Sequence, residues 1–404
     1  MSSHRLQSLK RFQGAVTKKY GTAPITVGVK TLSIERLDTG SISLDLALGG
    51  GIPVGRVTMM YGQRSSGKTT TAYRIAGLAQ RLCSNCLRPA FNEVVEEIDE
   101  ETGEVVWEQK GECNCYNEGF YKPSIWPDER QADFKERIEG YKLNSYEPFR
   151  VALIDIEGSF DYEWAEKLGL DSRVLIYVRP DTAEETIDLY DSLMRTGSVD
   201  LFVLDSIASM TPSKEVEESV EKWQQGLQAR LVNKFCRKIQ SSANAMARDY
   251  GRAPTQIWIN QLRMKIGVMF GNPETVPGGM AQEFATSVQV KLWSSNYEKE
   301  QSEVNKDWQV ATSVQVNFKT EKNKVAPPHR TGSYVMNLDD GSIDDSKLFV
   351  RFSESLGQLV KESNTKWLFG GEEFKTKKEA VESILSERGR RYIKGLALKA
   401  MDAK

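Results

Sequence analysis

The stretch Gly62-Gln63-Arg64-Ser65-Ser66-Gly67-Lys68-Thr69-Thr70 carries residue types and a spacing suited to holding phosphate. Four free residues separate a Gly from a Gly-Lys-Thr, the pattern of a loop whose backbone N–H groups turn inward onto phosphate oxygens. Lys68 is placed to reach the β- and γ-phosphates of a nucleotide, and the Thr69 hydroxyl to ligate Mg²⁺. The flanks agree. Arg56-Val57-Thr58-Met59-Met60-Tyr61 is apolar and bounded by Gly55 and Gly62, which predicts a strand. Thr69 to Leu82 places Ala72, Ile75, Ala76 and Ala79 on one helical face, and the dipole of such a helix favours an anion at its start. A chance glycine turn is the plainer reading, and both flanks oppose it.

The elements that would position this loop follow from apolar runs and periodicity. Val151-Ala152-Leu153-Ile154-Asp155-Ile156 predicts a buried strand with Glu157 at its end. Tyr162 to Leu168 predicts a helix, Val174 to Val178 a strand, and Ala183 to Thr196 a helix. Leu201-Phe202-Val203-Leu204-Asp205 predicts an apolar strand closed by an acid, then Gly226 to Arg248 a long helix and Gln256-Ile257-Trp258-Ile259-Asn260 a strand. Repeated β–α units imply a mostly parallel sheet with helices on both faces, whose ligands gather at the carboxyl ends of the strands. Gly62, Glu157, Asp205 and Asn260-Gln261 share that position. Asp205 is the candidate Mg²⁺ acid, against a helix-capping Asp; Glu157 is the candidate base that orients water, against a solvated loop acid. The two histidines, His4 and His329, lie far from these motifs, which argues against histidine-based hydrolysis.

Residues 83–148 interrupt the alternation. Cys83-Ser84-Asn85-Cys86 opens the stretch and Cys113-Asn114-Cys115 closes its first half. Between them, Glu93 to Trp107 reads as two strands around a Thr102-Gly103 turn. Two tight cysteine pairs joined by a hairpin make a zinc-ribbon pattern, and Cys83, Cys86, Cys113 and Cys115 suit a closed structural Zn²⁺ site; reduced thiols or disulfides are the alternatives. Lys122 to Pro148 reads as a short helix with loops. Cys236, on the long helix, reads as a small buried apolar residue.

Composition sets outer bounds. A chain of 404 residues with 39% hydrophobic and 27% charged content fits a soluble protein of two or more folding units. No apolar run is long enough to cross a bilayer and no secretory h-region is visible, so a cytoplasmic protein without a membrane partner is expected. Net charge is −2, so nucleic-acid binding would need local cationic clusters. The segment Leu262 to Gly279 has such a mixture. Arg263 and Lys265 suit phosphates, Ile266 or Phe270 could wedge between bases, and Gly267, Gly271, Gly278 and Gly279 argue against a helix; a lid over the nucleotide is the other reading. Arg5 to Tyr20 carries Leu6, Leu9, Phe12, Val16 and Tyr20 at helical spacing among cations. It reads as an arm docking on a neighbouring subunit, against a helix folded on its own core or a transit peptide. Near the C-terminus, Trp367 to Phe374 reads as a hairpin around Gly370-Gly371 and Lys378 to Arg388 as a helix. Arg388, Arg390, Arg391 and Lys394 form a basic end, read as a gateway for duplex DNA or as a solvated face.

From about Leu32 to Ala326 the chain resembles the bacterial RecA family of DNA-strand-exchange ATPases, with the cysteine-bearing stretch as an insertion. The resemblance rests on Ser65-Ser66-Gly67-Lys68-Thr69, on Gly197-Ser198-Val199-Asp200, and above all on Asn260 to Thr275. It implies an α/β fold: a RecA-like P-loop ATPase core with a mostly parallel sheet (34–335), an N-terminal helical arm (1–33), a Cys₄ zinc-ribbon-like insertion (83–148) and a small α/β C-terminal domain (336–404). It implies that ATP and Mg²⁺ sit on Gly62, Gln63, Arg64, Ser65, Ser66, Gly67, Lys68, Thr69 and Thr70, with Asp205 on the metal. Trp164 takes the place of an adenine-stacking tyrosine and Asp161 that of a base contact. Glu157 matches the water-activating glutamate, and Gln261 the glutamine that senses the γ-phosphate. Lys322 and Lys324 match lysines that reach a neighbour's ATP. Arg230 and Arg237, with Arg263, Met264, Lys265, Ile266, Gly267, Phe270, Gly278 and Gly279, match the DNA-contacting helix and second loop. The implied function is an ATP-dependent recombinase that forms helical filaments on single-stranded DNA and pairs it with duplex DNA. The rivals are a ring-shaped branch-migration helicase of the RadA type, whose zinc module precedes the core, and an ATP-switched filament or adaptor. Departures are Gln63-Arg64 for Pro-Glu, Val276-Pro277 for hydroxylated residues, Leu338 for a second adenine-facing tyrosine, and the lack of an acidic tail. The insertion points to a phage or mobile-element version.

Overall fold

The computed structural model describes residues 7, 11–12, 14–16, 18, 34–88, 94–98, 105–109, 113, 135, 147–217, 226–264, 274–301, 309–363 and 365–402, with the backbone alone at 94–98, 105–109, 216–217, 387 and 402. Two compact units result, Met1–Glu35 and Arg36–Lys404. In the first, Gln7, Arg11, Phe12, Gly14, Ala15, Val16 and Lys18 are helical and Phe12 is exposed.

The second unit begins with β1 (Arg36–Leu37), α1 (Ile42–Leu48), β2 (Ile52–Pro53), β3 (Val57–Gly62) and α2 (Lys68–Gln80). Then come β4 (Val94–Ile98), β5 (Val105–Gln109), β6 (Val151–Asp155), α3 (Tyr162–Lys167), β7 (Ile176–Val178), α4 (Ala183–Arg195) and β8 (Leu201–Asp205). After a short 3₁₀ turn follow α5 (Ser213–Glu217), α6 (Leu227–Asp249), β9 (Thr255–Gln261), β10 (Arg263–Met264), β11 (Glu274–Thr275) and α7 (Ala281–Ala285). The chain ends with β12 (Val288–Gln301), β13 (Gln309–Asn323), β14 (Thr331–Asn337), α8 (Ser346–Ser355), β15 (Leu359–Ser363), β16 (Lys366–Phe369), β17 (Glu372–Phe374), α9 (Lys377–Leu385) and α10 (Glu387–Asp402).

The central sheet runs β14-β13-β12-β3-β9-β8-β6-β7. Neighbours from β12 to β7 are parallel, and β12-β13-β14 is an antiparallel extension. Alternating side chains serve two cores, as a strand's period of two requires. Met60, Leu153, Val203 and Ile257 face α2, whereas Met59, Ile154, Phe202 and Trp258 face α4 and α6. The mostly parallel α/β sheet is therefore as expected. Register levels the carboxyl ends: Tyr61 lies opposite Asn260, Gly62 opposite Gln261, and Asp155 opposite Asp205.

The insertion leaves and rejoins the core at one place. Cys83 pairs with Pro148, Ser84 N–H donates to the Glu147 carbonyl at 2.7 Å, and Phe149 N–H to the Leu82 carbonyl at 3.2 Å. Beyond this stem, β4 and β5 form the antiparallel hairpin expected around Thr102-Gly103. Most of Lys122 to Pro148 lies outside the described residues; within it Lys135 is helical.

The C-terminal segment closes a third core, in which Phe349, Leu359, Phe369, Ile384 and Ile393 pack against Ile42 and Leu46 of α1. Two expectations change here. The single helix over Lys378 to Arg388 is two helices, because Ser386 leaves helical geometry and its Oγ accepts from Gly389 N–H at 3.1 Å, capping α10. Nor is the basic end one solvated face. Lys394 is largely buried and bonds Asp38 at 2.8 Å and Asp45 at 2.6 Å, and Arg390 lies over the Phe349 ring at 5.0 Å.

Candidate nucleotide and nucleic-acid site

Gly62 ends β3, and the loop beyond it needs two left-handed residues, Ser65 (φ 56°) and Gly67 (φ 82°). At Gly67 a side chain would be strained by that angle, so glycine is required at the helix start. No side chain caps α2, so its first N–H groups face the loop, the arrangement that suits an anion. The Lys68 ammonium donates to the Gln63 carbonyl at 2.6 Å and reaches Ser66 Oγ at 3.2 Å. Burial pulls its pKa below the ordinary lysine value, against the opposing pull of Asp205 and Glu157. Ser65 and Arg64 are exposed on the loop's crest, Ser66 is buried beneath it, and Thr70, the third residue of α2, is half-buried.

Thr69 Oγ1 donates to Asp205 Oδ2 at 2.8 Å. That contact crosses the sheet from the start of α2 to the end of β8. Asp205 is 1% exposed. Burial pushes its carboxyl up to about 6, with Thr69 pulling the other way. A buried acid beside a hydroxyl is a donor set that fits a hard divalent cation. From β6, Glu157 Oε1 accepts from Gln261 Nε2 at 3.4 Å, so the ends of β6 and β9 touch. Asp161 caps α3 by accepting from Trp164 N–H at 3.1 Å, and Trp164 packs half-buried against the core that also holds Leu338.

The nucleic-acid candidates divide between a helix and a loop. On α6, Arg230 and Arg237 are exposed seven residues apart, on one face, while Val232, Phe235, Cys236 and Ile239 bury the other. Lys234 is exposed between the two arginines on the same stripe and was not singled out by the sequence. Exposed Arg263 and Met264 form β10, which pairs with β11 to close the base of the second loop. Lys265, Ile266, Gly267 and Phe270 lie outside the described residues. The returning limb is anchored by a buried amide network that the sequence did not show: Asn260 Nδ2 donates to Gln282 Oε1 at 2.8 Å and to the Pro277 carbonyl at 3.1 Å, and Gln282 Nε2 to the Gly279 carbonyl at 3.2 Å. Gly278 takes φ 94° against Val232 of α6, where a Cβ would come within 2.9 Å of a Val232 methyl. Lys291 pairs with Glu274 of β11 at 2.6 Å.

The family described as the RecA N-terminal domain matches residues 7–101 and 146–342. Protein RecA of Haemophilus ducreyi is 32% identical over 349 residues, covering 86% of this chain and 73% of that one. The chain belongs to the RecA family. Members of the RecA family are DNA-dependent ATPases of recombination and repair. Residues 102–145, which separate the two matched stretches, fall within 83–148.

Lys322 and Lys324 of this RecA-family chain do not join the site of their own subunit. Lys322 is opposite Gln289, which is opposite Met59, so it sits three residues short of Gly62 and two strands across, about 10 Å in each direction. The Lys322 ammonium donates to the Glu283 carbonyl, and that of Lys324 to the Phe284 carbonyl at 3.3 Å, beside exposed Met280 and Phe284.

Three of the four cysteines expected to share a site gather. The sulfurs of Cys83, Cys86 and Cys113 lie within 4.8 Å of one another, while Cys115 is outside the described residues. Three thiols this close fit a thiophilic cation. The knuckle is fixed at the starts of β8 and β9 through Ser84, whose Oγ donates to Asp200 Oδ1 at 2.6 Å while Arg252 bonds both residues. Cys236 is separate and buried, and burial pushes its thiol up to about 12. No helix among the described residues is long and apolar enough to cross a membrane.

Proposed function

We propose that this chain is an ATP-dependent recombinase that assembles as a helical filament on single-stranded DNA in the cytoplasm and promotes pairing and strand exchange with duplex DNA. The observation that carries the reading is the Gln261–Glu157 contact, because Gln261 ends the strand that continues directly into the second loop. Whatever moves Glu157 on the nucleotide side is thereby felt at the DNA side. In this reading the loop N–H groups and Lys68 hold the triphosphate, Trp164 and Asp161 face the base, and Thr69 with Asp205 would hold Mg²⁺, which supplies charge neutralisation. Glu157 orients the attacking water and accepts its proton. Lys322 and Lys324, too far from their own loop, serve a neighbour's, so turnover depends on assembly. Arg230, Arg237 and Arg263 hold DNA phosphates, and the second loop, with Met264, Lys265, Ile266, Gly267, Phe270, Gly278 and Gly279, holds the strand with its bases available for pairing. Cys83, Cys86, Cys113 and Cys115 hold a structural Zn²⁺.

The test is ATP hydrolysis with and without single-stranded DNA, together with negative-stain imaging and a strand-exchange assay. Expected are DNA-stimulated turnover and open helical filaments, both lost in Lys68→Ala. Closed rings would favour a motor of the RadA type, and tight ATP binding without DNA-stimulated turnover would favour an adaptor; either result overturns the proposal.

A further inference from the structure

Two buried carboxylates stand side by side at the strand ends, Asp155 on β6 and Asp205 on β8. By burial they are equivalent. Their partners separate them. Asp205 turns an oxygen to Thr69 at the nucleotide loop. Both oxygens of Asp155 are taken by the turn that follows its own strand. Oδ1 accepts from Gly158 N–H at 2.8 Å and more weakly from Ser159 N–H at 3.4 Å; Oδ2 accepts from Phe160 N–H at 3.1 Å and from the Tyr177 hydroxyl at 3.0 Å. Glu157 is the second residue of this turn.

We infer that Asp155 is a positioning residue for Glu157: a buried carboxylate that closes the turn 156–160 and so sets where the Glu157 carboxylate stands. Three further observations support it. Ile156 and Glu157 both donate backbone N–H to the Asp205 carbonyl, which fixes the start of the turn. Gly158 takes φ 67°, a left-handed angle that strains any side chain, so glycine suits the turn. Phe160 fixes the far end, its ring meeting Tyr73 edge-on at 5.8 Å and Tyr177 at 5.2 Å. Tyr177 thus braces the turn twice, by ring and by hydroxyl, from the edge strand β7. A buried carboxylate whose two oxygens accept several N–H and O–H bonds is a directional anchor. Proton transfer at a reacting water requires the base within hydrogen-bond reach, so a loosened turn lowers the chemical step more than nucleotide binding.

The inference rests on the proposed role of Glu157, and the experiment separates the two. Asp155→Asn keeps the shape but turns an N–H₂ onto groups that are themselves donors. Expected is a roughly 10- to 100-fold lower kcat for DNA-stimulated ATP hydrolysis, with KM for ATP and affinity for a fluorescent ADP within about threefold. Amide exchange at 158–160 rises. In a Glu157→Gln background the same change has no further effect on kcat, since Asp155 acts through Glu157. Tyr177→Phe removes one donor from the same oxygen and keeps the test if Asp155→Asn does not fold; expected is a several-fold lower kcat, again absent in Glu157→Gln. Full turnover by Glu157→Gln overturns the role of Glu157 itself. Lost turnover in Glu157→Gln with undiminished kcat in Asp155→Asn, or in Tyr177→Phe where the first variant does not fold, overturns Asp155 alone, as does an equal loss on both backgrounds.

Discussion

At the scale of single residues, the contacts at the strand ends predict distinct losses. Glu157→Gln should lower kcat by about 10²- to 10⁴-fold while fluorescent-nucleotide binding persists, because only proton transfer to the side chain is removed. Thr69→Ala should instead weaken Mg²⁺-dependent nucleotide binding, read by titration with and without the metal. Cys236 offers a control on packing. Burial holds its thiol near 12, so at pH 8 in the folded protein iodoacetamide should leave it unlabelled, and urea should expose it. The turn between β3 and α2 was legible in the sequence because its glycine spacing sets where the strand must end and the helix begin. Asp155 was not, since an acid closing an apolar run looks the same whether it faces a metal or its own following turn. The hydrogen-bond partners decide, and they come from backbone N–H groups and from a tyrosine 22 residues away. Gln282 escaped notice for a like reason: its partners Asn260 and Pro277 meet it only after the second loop has returned.

At the scale of elements, apolar runs and helical periodicity located strands β3, β6, β8 and β9 and helices α2, α4 and α6 to within a residue or two, because each must bury a face against the sheet. The pattern failed where charge was read as exposure. Lys394 of α10 looked like part of a basic surface, yet its long stem lets the ammonium reach Asp38 and, on α1, the buried Asp45. Burial, with Asp38 adding to it, pushes Asp45 up to about 8. The folded state therefore binds a proton there that the unfolded state releases near the ordinary Asp range. This contribution is present at low pH and is lost as pH rises through about 8. Lys394→Ala removes the shared cation. It should cost about 3 kcal/mol at pH 8, seen as a lower urea midpoint, and less at pH 5, where Asp45 is protonated and needs no counter-ion. A deficit that grows on acidification would refute this account of the cluster.

For the whole molecule, the position of Lys322 and Lys324 predicts that catalysis is assembled between subunits. Mixing Lys68→Ala chains with chains carrying Lys322→Ala and Lys324→Ala should restore part of the turnover that each lacks alone, measured as DNA-stimulated ATP hydrolysis. If the mixture stays inactive, the two lysines do not act in trans. The insertion calls for a different measurement. Titrating the thiols with a mercurial should release about one zinc per chain, seen with a metallochromic dye, and ATP hydrolysis should fall by less than about twofold because the cysteines lie at the starts of the strands, away from the phosphate loop. Leu82 and Phe149 meet across the stem like the two posts of a bracket. Closing a longer loop between fixed ends becomes harder only logarithmically, about 0.6 kcal/mol for each doubling. A core of this kind can thus carry a ribbon, a larger module or a bare turn at this mount at nearly the same cost, while the carboxyl ends of its strands stay as they are.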